Sequence, residues 1–542
     1  MRVSDEPDTF LIWFSTATLP LFSKDILISQ IHVQKGYIVD NLPKTGNRQY
    51  GVDIQLHNNR EILLFVVKQG NIDRETWDGN VNAVRQSLDE IKDVTINIMT
   101  YEERKKDIRI IVATNGYKEE NVKLNWNKYV DNNKVWGKIP ITIEFMGIDD
   151  IVGEILNNFF NEYLFEQSLH SAMRKALYFI GEGDYKREYY EEIVNSLMVK
   201  IQEANNKAKK VDKTCAALYL ASQMICQYAH DNGNDKIAIM VSEYVIIKYW
   251  KNISESNKLG KAKYIEWLIK FCKSYEKWID AYLGKIQKIV NHEMILPNYN
   301  VVENKVLLYE ILGHIASYAN YLLEFYPNRV AGILNVIVTI LNEYSYYDYA
   351  PYDSCIGVVI MIYRILHYYK RENEIKILMK NQANVLIGYF ESQHKFPAPT
   401  DNFEEAMDIE MNGRSVVYEV SAFWGYFLLM IGIFGYEEIY ETIKGFLKND
   451  LENVTKCVWF LRGQEESFFY EPMAMNVAGE GIDITTEENF EKFSNRIHFI
   501  MEQYEGEGFS FDEYSFKSLE FIICHYYGYI PRVKFEAIEK TK

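Results

Sequence analysis

Residues 36–68 read GYIVDNLPKTGNRQYGVDIQLHNNREILLFVVK, and this stretch decides the fold. A short apolar run at Tyr37–Val39 leads into a polar turn segment that contains Gly and Pro. A second run, Val52–Leu56, carries Asp53. After the turn at His57–Arg60, a near-continuous apolar run, Ile62–Val67, ends in Lys68. Short β-rich runs bounded by turn residues predict hairpin strands. An acid within the middle strand and a lysine at the end of the buried one are unusual. Ionisable groups are costly to bury, so they are either paired or kept for chemistry. An Asp and a Lys side by side on neighbouring strands can hold a divalent metal and a phosphodiester.

Working outward, residues 9–34 carry apolar positions at helical spacing, with Ser23 and Asp25 near the start of a helix that runs to about Gln34 and closes at Gly36. Downstream, Asp73–Lys92 predicts a loop and a helix. Asp78 or Asn80 would cap that helix, and Val81, Val84, Leu88 and Ile91 would form its apolar stripe. Ile108–Thr114 predicts a strand ending at the Asn115-Gly116 turn signal, followed by a variable loop. Ile139–Phe145 predicts a further strand, and Ile148–Phe160 an amphipathic helix. The order is helix, three strands, helix, strand, loop, strand, helix. A mixed sheet flanked by helices is the natural solution for residues 1–165, an α/β domain. From residue 166 to 542 the pattern is one of successive amphipathic helices, including Tyr189–Asn205, Lys236–Trp250, Lys305–Tyr326 and Phe423–Phe434. No fixed repeat period stands out, so a large all-α helical region is expected.

Composition bounds the function. The chain has 542 residues, 48% hydrophobic and 25% charged, which is globular and not disordered. Its net charge is −17, with 19 Lys+Arg against 24 Asp+Glu over residues 1–165 and 40 against 52 beyond. Neither part is globally basic, so any nucleic-acid contact rests on a local patch. Six scattered cysteines form no CxxC pair and suggest neither zinc nor a disulfide framework, which fits a reducing cytoplasm. The N-terminus, MRVSDEPDTF, is acidic and polar and shows no signal peptide. Val420–Tyr436 is the best transmembrane candidate, but its length and its glycines favour a buried core helix, so no membrane partner is expected. The histidines include no HExxH, Gly479–Gly481 lacks P-loop spacing, and no GxSxG stands out. The aromatic clusters Tyr344–Tyr349 and Phe468–Tyr470 read as packing.

The helix ending in QKGYIV, the segment YGVDI and the strand LLFVVK together resemble the restriction-endonuclease-like nucleases, and among them the Mrr-type domains of bacterial defence proteins. The resemblance covers about residues 19–115. It implies a restriction-endonuclease-like α/β fold, hydrolysis of nucleic-acid phosphodiester bonds with Mg²⁺ or Mn²⁺, and a setting in phage defence. DNA is the implied substrate, with RNA as the other candidate. Carried over residue by residue, Asp53 binds metal, and Lys68 positions or activates the attacking water. Asp25 stands where related nucleases often keep a helix acid. The main-chain carbonyl of Val67 is a further acceptable Mg²⁺ ligand. Gln86, on the helix after the third strand, is a candidate for orienting the phosphate or water. The helical region would sense a trigger, oligomerise or bind a partner protein.

One departure matters. The family carries Glu or Gln two residues before the lysine, and here that position is Val66. Side chains alternate across a strand, so Val66 and Lys68 share a face while Gln69 points the other way. A degenerate module that binds or assembles without cutting is therefore the alternative. The plain readings also stand: Asp53 can end a strand or cap a turn, and Lys68 can snorkel from a strand end. In Asp131–Pro140, Trp136 sits between lysines and can stack a base or lie in a solvated loop.

Overall fold

The computed structural model describes residues 28, 29, 32, 33, 35–41, 50–151, 154, 167–182, 186–204, 208–291, 301–343, 350, 352–393, 419–460, 466–472, 480–503 and 509–533. The chain divides into two compact units, Met1–Asn232 and Gly233–Lys542.

In the first unit a six-stranded sheet has the order β1-β2-β3-β4-β6-β5. Its strands are β1 (Ile38–Asn41), β2 (Ile54–His57), β3 (Glu61–Lys68), β4 (Asp107–Thr114), β5 (Val135–Trp136) and β6 (Ile139–Met146). The first three form an antiparallel meander, with Ile54 opposite Phe65 and Leu56 opposite Leu63. β3, β4 and β6 are parallel neighbours, with Val66 opposite Val112 and Val112 opposite Phe145. The mixed sheet is the one the sequence predicts.

Parallel neighbours need crossovers, and each crossover here carries a helix: α1 (Val84–Glu90) between β3 and β4, and α2 (Glu120–Asn132) between β4 and β6. Strand alternation sorts the core into two layers. Ile62, Leu64 and Val66 of β3, with Ile108, Ile110 and Val112 of β4, pack with Val84 and Leu88 of α1 and with Val122 and Trp126 of α2. Leu63 and Phe65, with Ile111 and Ala113, pack on the other side with Ile54, Leu56 and the helical residue Ile28. A central strand covered on both faces must be apolar throughout, which is why β3 shows no alternation in sequence.

Several expectations need correction. The segment read as a variable loop holds α2. Its sequence, ENVKLNWNKYVDN, is rich in Asn and buries only Val122 and Trp126, a stripe too thin to stand out. α1 begins after Ala83 without a side-chain cap; Asn80 instead accepts from Asn82 N–H at 2.9 Å, and Asp78 pairs with Arg85 at 2.8 Å. Val81 is 86% exposed and lies outside the stripe. Trp136 lies in neither a solvated loop nor a base-stacking position. It is buried, with its Nε1 donating to Asn133 Oδ1 at 3.1 Å. The helix expected over 23–34 appears at residues 28–29 and 32–33, its other positions lying outside the described residues. Tyr344–Tyr349 also lies outside them.

Three helices complete the first unit and pack on one another: α3 (Gln167–Glu182), α4 (Arg187–Glu203) and α5 (Ala208–Asp231). In the second unit, α6 (Asp235–Glu255), α7 (Ala262–Val290), α8 (Val301–Phe325), α9 (Pro327–Glu343), α10 (Ile356–Tyr368) and α11 (Glu372–Gln393) follow in turn. The region beyond residue 166 is largely helical but not all-α. It contains a small sheet of β7 (Val420–Ser421), β8 (Thr455–Phe460) and β9 (Glu480–Asp483). Two of these strands are too short to show a period of two, which hides them in the sequence. The apolar stretch after Val420 is the buried helix α12 (Ala422–Phe434), with Phe423 through Gly432 in the core. The helices α13 (Glu437–Asn449), α14 (Phe490–Gln503) and α15 (Leu519–Tyr527) complete the unit. Among the described residues no helix is long and apolar enough to cross a membrane. All six cysteines are buried thiols outside any disulfide.

Candidate functional site

The site grows from the place where β3 runs past the start of β2. β2 begins only at Ile54, yet β3 runs on through Val66, Val67 and Lys68, so among the described residues that part of its edge lacks a strand neighbour. Asp53 takes over there. Its N–H donates to the Phe65 carbonyl at 2.8 Å, and its Oδ2 accepts from the Val67 N–H at 2.7 Å. An extended residue presents its N–H and C=O to the same edge, so the Val67 carbonyl faces the Asp53 side. Asp53 thus stands just before β2, not within it, and caps the exposed edge of β3.

The loop that delivers Asp53 is clamped to the helical layer. Thr95 Oγ1 donates to the Tyr50 carbonyl at 2.8 Å. Gly51 adopts φ +82°, and a Cβ there would sit 2.3 Å from the Ser87 carbonyl oxygen. Only glycine satisfies both the left-handed backbone and this close approach.

Lys68 follows Leu64 and Val66 onto the face covered by α1. Its Nζ donates to the Asn82 carbonyl at 2.7 Å and to Ser87 Oγ at 3.2 Å. Burial pushes the Asp53 carboxyl up from its ordinary range, while the Val67 N–H and the Lys68 charge pull it back down. Burial pulls the Lys68 ammonium down, opposed by Asp53. The two groups are therefore electrostatic neighbours, half-buried at one end of the sheet. Asp73 is separate: it accepts from the Thr76 N–H at 2.8 Å at the start of a helical turn.

Val66 is 0% exposed and belongs to the apolar layer with Leu64, Val84 and Leu88. Gln69 lies past the end of β3 and is exposed. Gln86 is exposed on α1, while its neighbour Ser87 is the helix residue that meets Lys68. Ser87 is the site residue that sequence reasoning missed. The only signal for it was its place beside Leu88 of the predicted stripe, one helix turn after Ala83. Asp25 lies outside the described residues.

Among the described residues no three His, Cys, Asp or Glu side chains group in a way that could hold a metal ion. The oxygens at hand for a divalent cation are the Asp53 carboxylate and the Val67 carbonyl. They are the right kind for Mg²⁺, which uses one or two carboxylates and completes its shell with waters and substrate phosphates. They are few, because Val66 supplies no donor. Comparison with protein-family models, with curated proteins and with solved structures finds no match for this chain.

Proposed function

We propose that the sheet of the first unit is a nuclease-fold module acting on nucleic-acid phosphodiesters, in DNA before RNA, as an effector of phage defence in the bacterial cytoplasm. The observation that carries this reading is the nearness of Asp53 and Lys68 at one end of β2 and β3, on an antiparallel meander that leads through a helix into a parallel strand. Asp53 and the Val67 carbonyl would hold Mg²⁺ or Mn²⁺, which when bound supplies charge to the phosphate and acidity to a water. Lys68 has a distinct task. Its ammonium, fixed by Asn82 and Ser87, offsets the negative charge that builds on the phosphate as water attacks and the sugar oxygen leaves. Its partial burial strengthens that effect. Gln86, exposed on the same helix, is left as an outer contact to the phosphate backbone.

A second reading has its own observation. Val66 is sealed in the apolar layer, so the position where the resembled family holds a third ligand is filled with methyl groups. A module that lost cutting and kept binding or assembly would look the same. The deciding experiment is cleavage of single- and double-stranded DNA and of RNA by the full-length protein with Mg²⁺, Mn²⁺ or EDTA, beside Asp53→Ala and Lys68→Ala. Metal-dependent cleavage that falls by several orders of magnitude in both variants supports the nuclease reading. Undiminished cleavage in both places the chemistry elsewhere. Absence of cleavage with every substrate leaves the degenerate module.

A further inference from the structure

The second unit carries titratable side chains in its interior, unrelated to the sheet. Glu243 on α6 is 0% exposed, and both its carboxylate oxygens lie 2.9 Å from Nδ1 of His525 on α15. An ionised carboxylate only accepts, so Nδ1 carries the N–H. His314 on α8 is 1% exposed, and its ring centroid lies 4.4 Å from that of His525. Among the described residues neither nitrogen of His314 has a hydrogen-bond partner. Buried polar groups are nearly always bonded, so a bare imidazole here calls for an explanation.

Among the described residues no second carboxylate bonds the ring. From α7, Tyr282 meets His314 edge-on at 5.3 Å, and Tyr275 is buried beside Glu243. From α6, Lys236 adds positive potential while pairing with Glu310 of α8 at 3.0 Å. From α10, Val358 packs at Gly313, and Arg364 bonds Asn320 further along α8. From α9, Arg329 reaches Tyr318. On α15 itself, Glu520 is taken by Arg532.

We propose that His314 is a proton-operated latch: α8 and α15 stay packed while His314 is neutral, and separate when it takes up a proton. Glu243 is already engaged by His525, so an imidazolium at His314, whose ring centroid lies 4.4 Å from that of His525 and which is shielded from water, gains no counter-charge, and an unpaired buried charge is the costliest group a core can contain. The opened form has no such penalty. Burial holds the imidazole well below its ordinary range, so the opened form takes the proton first. Well below about pH 6.5, each pH unit then favours opening roughly tenfold until the closed form itself titrates.

The test is hydrogen–deuterium exchange of the full-length protein at pH 7.5, 6.5 and 5.5, with labelling times scaled to the intrinsic rate. Peptides from Val301–Phe325 and Leu519–Tyr527 should show about a fivefold rise in opening between pH 6.5 and 5.5. His314→Phe, which fills the same apolar site without titrating, should remove that rise. Exchange of the imidazole C2 hydrogen in the wild type reads the His314 titration without any variant, and its midpoint should fall well below 6.5. A flat wild-type profile, an unchanged rise in His314→Phe, or a midpoint at or above 6.5 overturns the latch. If His314→Phe does not fold, the wild-type midpoint decides alone.

Discussion

Val66→Glu probes the sheet at its most informative position. The change removes a side chain that is 0% exposed within a layer formed with Leu64, Val84 and Leu88. Forfeiting the valine's burial costs roughly 1.5–3 kcal/mol. An unpartnered carboxyl group in its place costs about 1–3 kcal/mol more. Without metal, the loss is therefore about 2.5–6 kcal/mol against a domain stability of about 5–15 kcal/mol. For a unit of this size, about 2–4 °C per kcal/mol places the drop in Tm at the order of 10 °C. Metal then separates the two functional readings. A carboxylate that reaches the Asp53 edge adds a ligand, and binding to the folded state at one hundred times Kd returns about 2.7 kcal/mol. The assay is thermal unfolding of wild type and variant in EDTA, Mg²⁺ and Mn²⁺, with calorimetric titration of the metal. Recovery in metal with tighter binding means that the site geometry survives and lacks one ligand. Equal destabilisation in all three buffers favours the degenerate module. A variant as stable as wild type in EDTA would refute the placement of Val66 in a closed layer, and with it the packing argument.

Other residues give sharper, smaller tests. Asp53 has its folded-state pKa raised by burial, so the stability it contributes is full below the ordinary Asp pKa and is lost as pH rises through the folded value. Asp53→Asn keeps an oxygen for the Val67 N–H but cannot ionise; it should flatten this part of the pH profile and be more stable than wild type near pH 7, read by urea unfolding at pH 4.5 and 7. Gly51→Ala should cost at least about 2 kcal/mol, because a left-handed Ala costs about 1–2 kcal/mol before any clash with the Ser87 carbonyl; thermal unfolding reads it, and a neutral result would mean that the loop is not clamped to α1. In the second unit, buried Asp353 accepts from Ser421 Oγ at 2.7 Å and from the Ala422 N–H at the start of α12. Asp353→Ala strands both donors and should lower stability by about 1–3 kcal/mol in denaturant melts.

The sheet was legible because its signals are repeated. β3 is apolar from Ile62 to Val67, β4 is apolar from Ile108 to Ala113 apart from Arg109, and turn residues bound each run. Arg109 itself is tolerated because it bonds Glu61 at 3.1 Å and Glu144 at 2.7 Å across neighbouring strands. Where burial is thin, the reading failed. α2 buries two side chains and reads as a loop, and β7 spans two residues and leaves no period. Trp136 misled for the opposite reason: lysines flank it in sequence, while the fold turns its ring into the core.

The site residues divide along a different line. Asp53 and Lys68 were identifiable because charged side chains on apolar strands are rare enough to be noticed. Their surroundings were not identifiable, because most of the contacts that fix them run to main chain. Asp53 binds the N–H of Val67, Lys68 binds the carbonyl of Asn82, and Thr95 holds the carbonyl of Tyr50. A backbone partner leaves no imprint in its own side chain, so no pattern in Val67, Asn82 or Tyr50 announces it. The same fact explains why the Asp53–Lys68 geometry can persist whether or not catalysis does. Capping the bare edge of β3 and holding a half-buried ammonium are structural needs, met by the same two side chains that metal-dependent hydrolysis would use. A substitution that preserves the backbone contacts and removes only the charge, as Asp53→Asn does, therefore separates folding from chemistry more cleanly than a truncation to alanine.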